Sequence, residues 1–250
     1  MRYKEYIDNL KETIDKNINR NFELSKLSEE ITSKVTEDNK YREFYGDTSV
    51  FKMKKEDIEK CKIYLDELLE KFDNNMVSLE PDSFHITLTS FNNPYVIQSF
   101  DKEKNIEAIN KTRKEIIKLY RTEFLLKNKE KKIRLKAYKL DITSAIVIRF
   151  CPVEEKDYNL LMELREFFDT LNFDKKREIT FFQPHVSLAY LNNSNDTLEK
   201  IEEIRKWCLE KNKNLDIEVE LSVKDLTYQY HTDMGNFIDV INLGMEDIYE

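Results

Sequence analysis

Twice in this chain a histidine is followed by an apolar residue, a hydroxyl residue and leucine. The stretches are His85-Ile86-Thr87-Leu88 and, one hundred residues later, His185-Val186-Ser187-Leu188. The protein has only three histidines. From composition, a histidine is followed by x-[Ser/Thr]-Leu about one time in a hundred, so two hits among three are not chance. Each stretch alternates in polarity with a period of two, the pattern of a half-buried strand. His85 and Thr87 then share one face, with Phe84, Ile86 and Leu88 on the other. His185 and Ser187 share a face opposite Val186 and Leu188. The apolar faces call for covering helices. The polar faces, each holding an imidazole and a hydroxyl, look into water or onto a ligand.

The rest of the chain reads as two copies of one unit around these strands. A strand at 48–53, a helix at 54–72, the first histidine strand at 83–90, a helix at 103–121 and a strand at 133–140 come first. Lys127–Lys132 reads as a solvated loop. A strand at 144–150, a helix at 154–171, the second histidine strand at 181–190, a helix at 197–210 and a strand at 215–221 follow. Strands near 225–231 and 236–243 close the chain. Both halves read β-α-β-α-β, an internal repeat of architecture. Val50 precedes His85 by 35 residues and Val147 precedes His185 by 38. The order predicts an α+β fold of two similar lobes, 44–141 and 142–250, with the histidine strands meeting at a cleft. Ahead of them, Ile7, Leu10, Ile14 and Ile18, then Leu24, Leu27, Ile31 and Val35, recur at helical spacing. Residues 1–43 are therefore a helical extension that packs on the body or recruits a protein partner.

Charge narrows the partners. The 41 Lys and Arg against 49 Asp and Glu leave a net charge of -8. Non-specific grip on long nucleic acid needs clustered cations, so small nucleotides or short RNA ends in a locally positive cleft fit better. Cys61, Cys151 and Cys208 are scattered, without the spacing of a disulfide framework or a zinc knuckle. No run of 18 apolar residues and no signal peptide opening appears, so a cytoplasmic protein with no membrane partner is expected.

Two imidazoles on one cleft suit acid–base cleavage of a phosphodiester. One neutral ring takes a proton from the attacking hydroxyl or water, and one protonated ring donates to the leaving oxygen. The Thr87 and Ser187 hydroxyls can donate to the non-bridging oxygens as charge builds there. Neither motif has H-x-H or H-E-x-x-H spacing, so neither metal nor cofactor is called for. No G-x-S-x-G elbow marks a serine nucleophile. Further substrate contacts are softer. Arg149 and Lys52 are charges at matching places in the first strands of the two lobes, and a phosphate-facing cleft or a rim position would each explain them. Tyr228 and Tyr230 could stack on a base or simply pack in a sheet. Tyr190 ends the second histidine strand, with a side chain that strict alternation points away from His185. His231 lacks the motif and reads as structural.

The paired motifs resemble the H-x-[ST]-φ pairs of the 2H phosphoesterase superfamily. That superfamily includes the LigT-like RNA 2′,3′-cyclic phosphodiesterases and the eukaryotic enzymes that trim a spliceosomal RNA 3′ end. His185-Val186-Ser187-Leu188-Ala189-Tyr190 is similar to the second motif of the latter. Residues 46–53, Pro81-Asp82-Ser83-Phe84-His85 and Asp233-Met234 with Phe237 are similar to a bacterial branch. The resemblance covers roughly residues 44–245 and leaves out the N-terminal arm. It implies a bilobal fold with pseudo-twofold symmetry and antiparallel sheets flanking a cleft. It implies catalysis by His85 and His185 and phosphate contact by Thr87 and Ser187. The leading expectation is a metal-independent phosphodiesterase acting on a 2′,3′-cyclic phosphate, a short RNA 3′ end, or a cyclic or 2′-5′ oligonucleotide. The alternative is a catalytically silent nucleotide- or RNA-end-binding protein of the same fold.

Overall fold

A computed structural model describes residues 1–19, 23–170 and 181–245. The N-terminal arm forms α1 (Tyr3–Asn19) and α2 (Leu24–Thr32). The body begins with β1 (Gly46–Lys52), α3 (Lys55–Phe72), the short β2 (Met76–Ser78) and β3 (His85–Asn92). A single turn α4 (Pro94–Ile97), α5 (Lys102–Leu119), α6 (Glu123–Asn128) and β4 (Lys132–Ile142) follow. Then come β5 (Ala145–Pro152), α7 (Glu155–Asp169), β6 (His185–Leu191), α8 (Asn195–Lys211), β7 (Glu218–Ser222), β8 (Leu226–His231) and β9 (Phe237–Asn242). Local signals set the helix starts. Asp101 accepts from Lys104 N to cap α5, Ser194 accepts from Thr197 N to cap α8, and Glu154 with Asp157 closes a capping box on α7.

The strands form two antiparallel sheets, β3-β1-β8-β9 and β2-β6-β5-β4-β7. The bilobal two-sheet α+β arrangement expected from the repeat is therefore present, but the lobes do not follow the halves of the chain. β4, placed by sequence with residues 44–141, pairs with β5, and β8 and β9 return to pair beside β1. The reason is local at one end and topological at the other. Only Thr143 and Ser144 separate β4 from β5, a hairpin spacing that holds the two strands together. The free edge of β1 is then left for β8. Two further differences are small. α6 runs through Asn128, so the expected loop at 127–132 shrinks to a turn. The second histidine strand starts at His185, with 181–184 leading into it as irregular chain. The end of the predicted helix at 154–171 lies outside the described residues.

Buried apolar residues fill the layers between sheets and helices. α5 lies against β1, β3 and β8, and α3 and α8 lie against the five-stranded sheet. α7 touches β4 and β5 and also β3, so it bridges the two sheets. β3 and β6, the two histidine strands, approach each other across the sheets. The arm packs on this body. Tyr6, Leu10 and Ile14 cluster with Cys151 and Tyr158, while Ile18, Leu27, Ile31 and Val35 join the main core. Most of the arm's apolar stripe is thus buried within the chain itself, while Leu24 stays exposed. Cys61, Cys151 and Cys208 are buried free thiols, and burial raises each pKa, that of Cys151 to about 11. Among the described residues no helix is long and apolar enough to cross a membrane.

Candidate active site

The two histidine strands repeat one another in register. In the first sheet His85 pairs with Lys52 and Thr87 with Val50; in the second His185 pairs with Arg149 and Ser187 with Val147. Just beyond each hydroxyl residue the pairing skips one position, Leu88 in β3 and Leu188 in β6. Half-buried histidine and hydroxyl residues alternate with buried Ile86, Leu88, Val186 and Leu188. Each ring is locked the same way. His85 Nδ1 lies 2.7 Å from the Ser83 carbonyl and His185 Nδ1 lies 2.9 Å from the Gln183 carbonyl. A carbonyl can only accept, so Nδ1 carries the proton and Nε2 is left for chemistry.

His185, Thr87, Arg149 and Arg165 line a cleft of about 390 Å³, with Phe181 and Phe182 on its wall. His85 and Lys52 line a second recess of about 280 Å³, with Gln229 and Phe237, and the His85 charge is felt at His185. Arg149 is nearly buried, and its Nε donates to Asp141 Oδ2 at 3.0 Å. Lys52 donates to Asp239 at 2.6 Å. Both expected cations thus stand beside a histidine, one on each lobe. Arg165 comes from α7, donates through Nη1 to the Leu88 carbonyl at 2.8 Å and lies 4.5 Å over the Phe182 ring. The acidic chain has gathered positive side chains here. Among the described residues no three His, Cys, Asp or Glu side chains converge as a metal site.

These surroundings favour neutral imidazoles. Burial, then the Arg149 charge, push the His185 pKa down to about 3, with His85 and Lys34 adding to the effect. Burial also lowers the His85 pKa, and Lys52 adds to that, while the Ser83 carbonyl and Asp239 pull the other way. His231 is buried, its Nδ1 on the Phe44 carbonyl at 2.8 Å, and burial takes its pKa to about 4. It is a packing residue, as its sequence context suggested. Gly46 exists for it, since a Cβ there would stand 2.6 Å from His231 Nε2.

The aromatic candidates divide. The skipped Leu188 reverses the alternation of β6, so Tyr190 swings back to the face of Ser187, near enough for the two hydroxyls to influence each other. The expectation that it points away fails for that reason. Tyr228 and Tyr230 do not reach the cleft. Tyr228 is fully buried and donates to Asp47 Oδ2 at 2.7 Å, and Tyr230 lies under Arg113 of α5 at 6.0 Å. Both occupy the helix-covered face of β8, while Gln229 between them faces the recess. Sequence reading missed Arg165, Phe181 and Asp141. Arg165 carried a signal: it follows Leu161 by four and Leu164 by one, a charge inside a buried helical stripe.

No family model matches the chain, and no curated protein matches it. Solved structures do. A conserved protein of unknown function from Agrobacterium tumefaciens str. C58 has a TM-score of 0.60 at 13% identity, over 84% of this chain and 90% of that one. E. coli LigT complexed with 3′-AMP has a TM-score of 0.45 at 11% identity, over 80% of this chain and 97% of its own. Kluyveromyces marxianus Usb1 has a TM-score of 0.40 at 9% identity, over 79% and 97%. The likeness to the Agrobacterium protein is one of fold.

Proposed function

We propose that this protein is a metal-independent phosphodiesterase of the 2H type that acts on a nucleotide phosphodiester. The substrate class is a 2′,3′-cyclic phosphate, a short RNA 3′ end, or a cyclic or 2′-5′ oligonucleotide. One observation carries the reading. Two imidazoles stand at equivalent strand positions, each with Nδ1–H fixed on the carbonyl two residues back and each two residues from a hydroxyl. Sheet packing does not require such duplication, whereas paired proton transfer does. The volume and lining support a nucleotide: about 390 Å³ with guanidinium groups and phenyl rings on one wall.

His185 acts as the base. Arg149 and Lys34 both disfavour its protonation, so its Nε2 lone pair is available near neutral pH. It takes the proton of the attacking water or neighbouring 2′-hydroxyl as the new P–O bond forms. His85 acts as the acid. Burial and Lys52 lower its own pKa, so it takes up its proton with the substrate, when the incoming phosphate charge joins the Ser83 carbonyl and Asp239 in favouring the imidazolium. Its proton goes to the leaving oxygen as the old P–O bond breaks. Thr87 and Ser187 donate to the non-bridging oxygens, and the Arg149 guanidinium balances the developing charge.

The test is turnover of 2′,3′-cyclic nucleotides, short RNAs with 3′-hydroxyl ends, 2′-5′ oligoadenylates and cyclic dinucleotides, with and without chelator. His85→Ala and His185→Ala should each lose about 10²- to 10⁴-fold in rate, with circular dichroism unchanged. Wild-type rates in both variants would refute the mechanism, as would loss of activity with chelator. Binding of these compounds without turnover would leave a silent nucleotide-binding protein.

A further inference from the structure

The arm ends in a lysine that the body does not neutralise. Lys34 lies two residues past α2, and its backbone is fixed on both sides. Lys34 N donates to the Ile31 carbonyl at 2.9 Å and its carbonyl accepts from Arg42 N at 2.8 Å. The side chain turns inward with the stripe of Ile31 and Val35. Its ammonium lies among three rings, 5.5 Å from the Tyr190 centroid, 5.9 Å from Phe44 and 6.0 Å from Tyr95. Nζ donates to Ser144 Oγ at 3.2 Å. An ammonium has three donors, and aromatic faces hold a cation without accepting a conventional hydrogen bond. Arg149, Arg165 and Lys52 each have a carboxylate within 4 Å: Asp141, Asp169 and Asp239. Among the described residues none comes that close to Lys34, and Glu30, a turn earlier, acts on it only at longer range. Burial accordingly lowers the Lys34 pKa.

The position ties this cation to the cleft. Tyr190, whose ring the ammonium faces, shares a strand face with Ser187, the hydroxyl of the second motif. The charge of Lys34 is felt at His185. Val96, beside Tyr95, lines the same cleft as His185 and Thr87. A part-buried cation with spare donors, close enough to His185 for its charge to act there, lacks only an anion.

We infer that Lys34 is a substrate-binding residue, its ammonium taking an anionic phosphate oxygen of the nucleotide beside Tyr190 and the second histidine motif. The N-terminal arm then completes the site from outside the repeated body. The inference rests on the phosphodiesterase reading of that cleft. The test uses the full chain, because α1 and α2 share its cores. Wild type, Lys34→Met and Lys34→Arg are compared for binding of inorganic phosphate and for kcat and KM on the nucleotide that the wild type cleaves. Lys34→Met should weaken phosphate binding and raise KM by about tenfold or more, with a smaller change in kcat. Lys34→Arg should retain most of the binding. Without phosphate, Lys34→Met should melt no lower than wild type, since it removes an uncompensated cation. Wild-type phosphate binding and KM in Lys34→Met would overturn this inference and leave the phosphodiesterase reading standing. A marked fall in melting temperature, with binding not restored by arginine, would make Lys34 a packing residue. Failure of the wild type to bind phosphate or cleave any probe would sink both.

Discussion

Asp141→Ala is expected to be one of the most damaging single changes at the cleft. Asp141 has no exposed surface and Arg149 is 8% exposed, with Nε and Oδ2 3.0 Å apart. At about 4 Å and an effective dielectric of about 20, their attraction is about 4 kcal/mol. Desolvation costs several kcal/mol per ion, so the intact pair roughly balances. Removing the carboxylate leaves Arg149 with the desolvation and without the compensation, a loss of about 3–5 kcal/mol. In a chain of this size each kcal/mol moves the melting temperature by about 2–4 °C, so a fall of roughly 6–20 °C is expected. Part of this is not ionic, because Asp141 Oδ1 also accepts from Ile142 N at 2.9 Å. The double variant Asp141→Leu, Arg149→Met separates the terms. An apolar pair of similar bulk should regain most of the stability, while activity stays low because the guanidinium beside His185 is gone. Thermal and urea unfolding followed by circular dichroism read the first quantity, and turnover reads the second. An Asp141→Ala protein within about 1 kcal/mol of wild type would refute the reasoning, as would a double variant no more stable than the single.

Two other expectations concern the third histidine and its neighbours. Folded-state pKa values of about 3 for His185 and about 4 for His231 lie below the ordinary 6.5, so the folded form binds fewer protons than the unfolded chain. Their contribution to stability is complete above pH 6.5 and is lost as pH falls toward those values, each adding a slope of about 1.4 kcal/mol per pH unit. Urea midpoints should therefore drop between pH 6.5 and 5, above the range of most carboxylates, and a flat profile there would contradict the buried neutral rings. Gly46→Ala would bring a Cβ to 2.6 Å from His231 Nε2 and 2.7 Å from the Asn92 carbonyl. A loss of about 1–3 kcal/mol is expected in urea unfolding, and wild-type stability would show that the ring can yield.

What could be read from the sequence, and what could not, follows the range of the interactions. The histidine strands were legible because their alternation is local, and the two short motifs carry it whole. Strand partnership is non-local, and there the reading by halves failed. It cut the chain between β4 and β5, two strands separated by only Thr143 and Ser144, and it could not see that β1 had a free edge for β8. Tyr190 was misdirected by a single skipped residue, since one bulge reverses every side chain beyond it. For Tyr228 and Tyr230 the sequence leaves base stacking and sheet packing open, and the face of their strand decides for packing. The cations carried a better signal than the aromatics. Lys52 and Arg149 are charges inside apolar strands, and both stand beside a histidine. The same signal at helical spacing marks two more. Arg165 lies within the stripe of Leu161, Leu164 and Phe168, and Lys34 lies between Ile31 and Val35. A charge inside a buried stripe must be paid for by a partner. Arg165 has the Leu88 carbonyl and Asp169, whereas Lys34 has one serine hydroxyl and three aromatic faces. That difference separates a cation that braces the cleft from one poised to receive an anion.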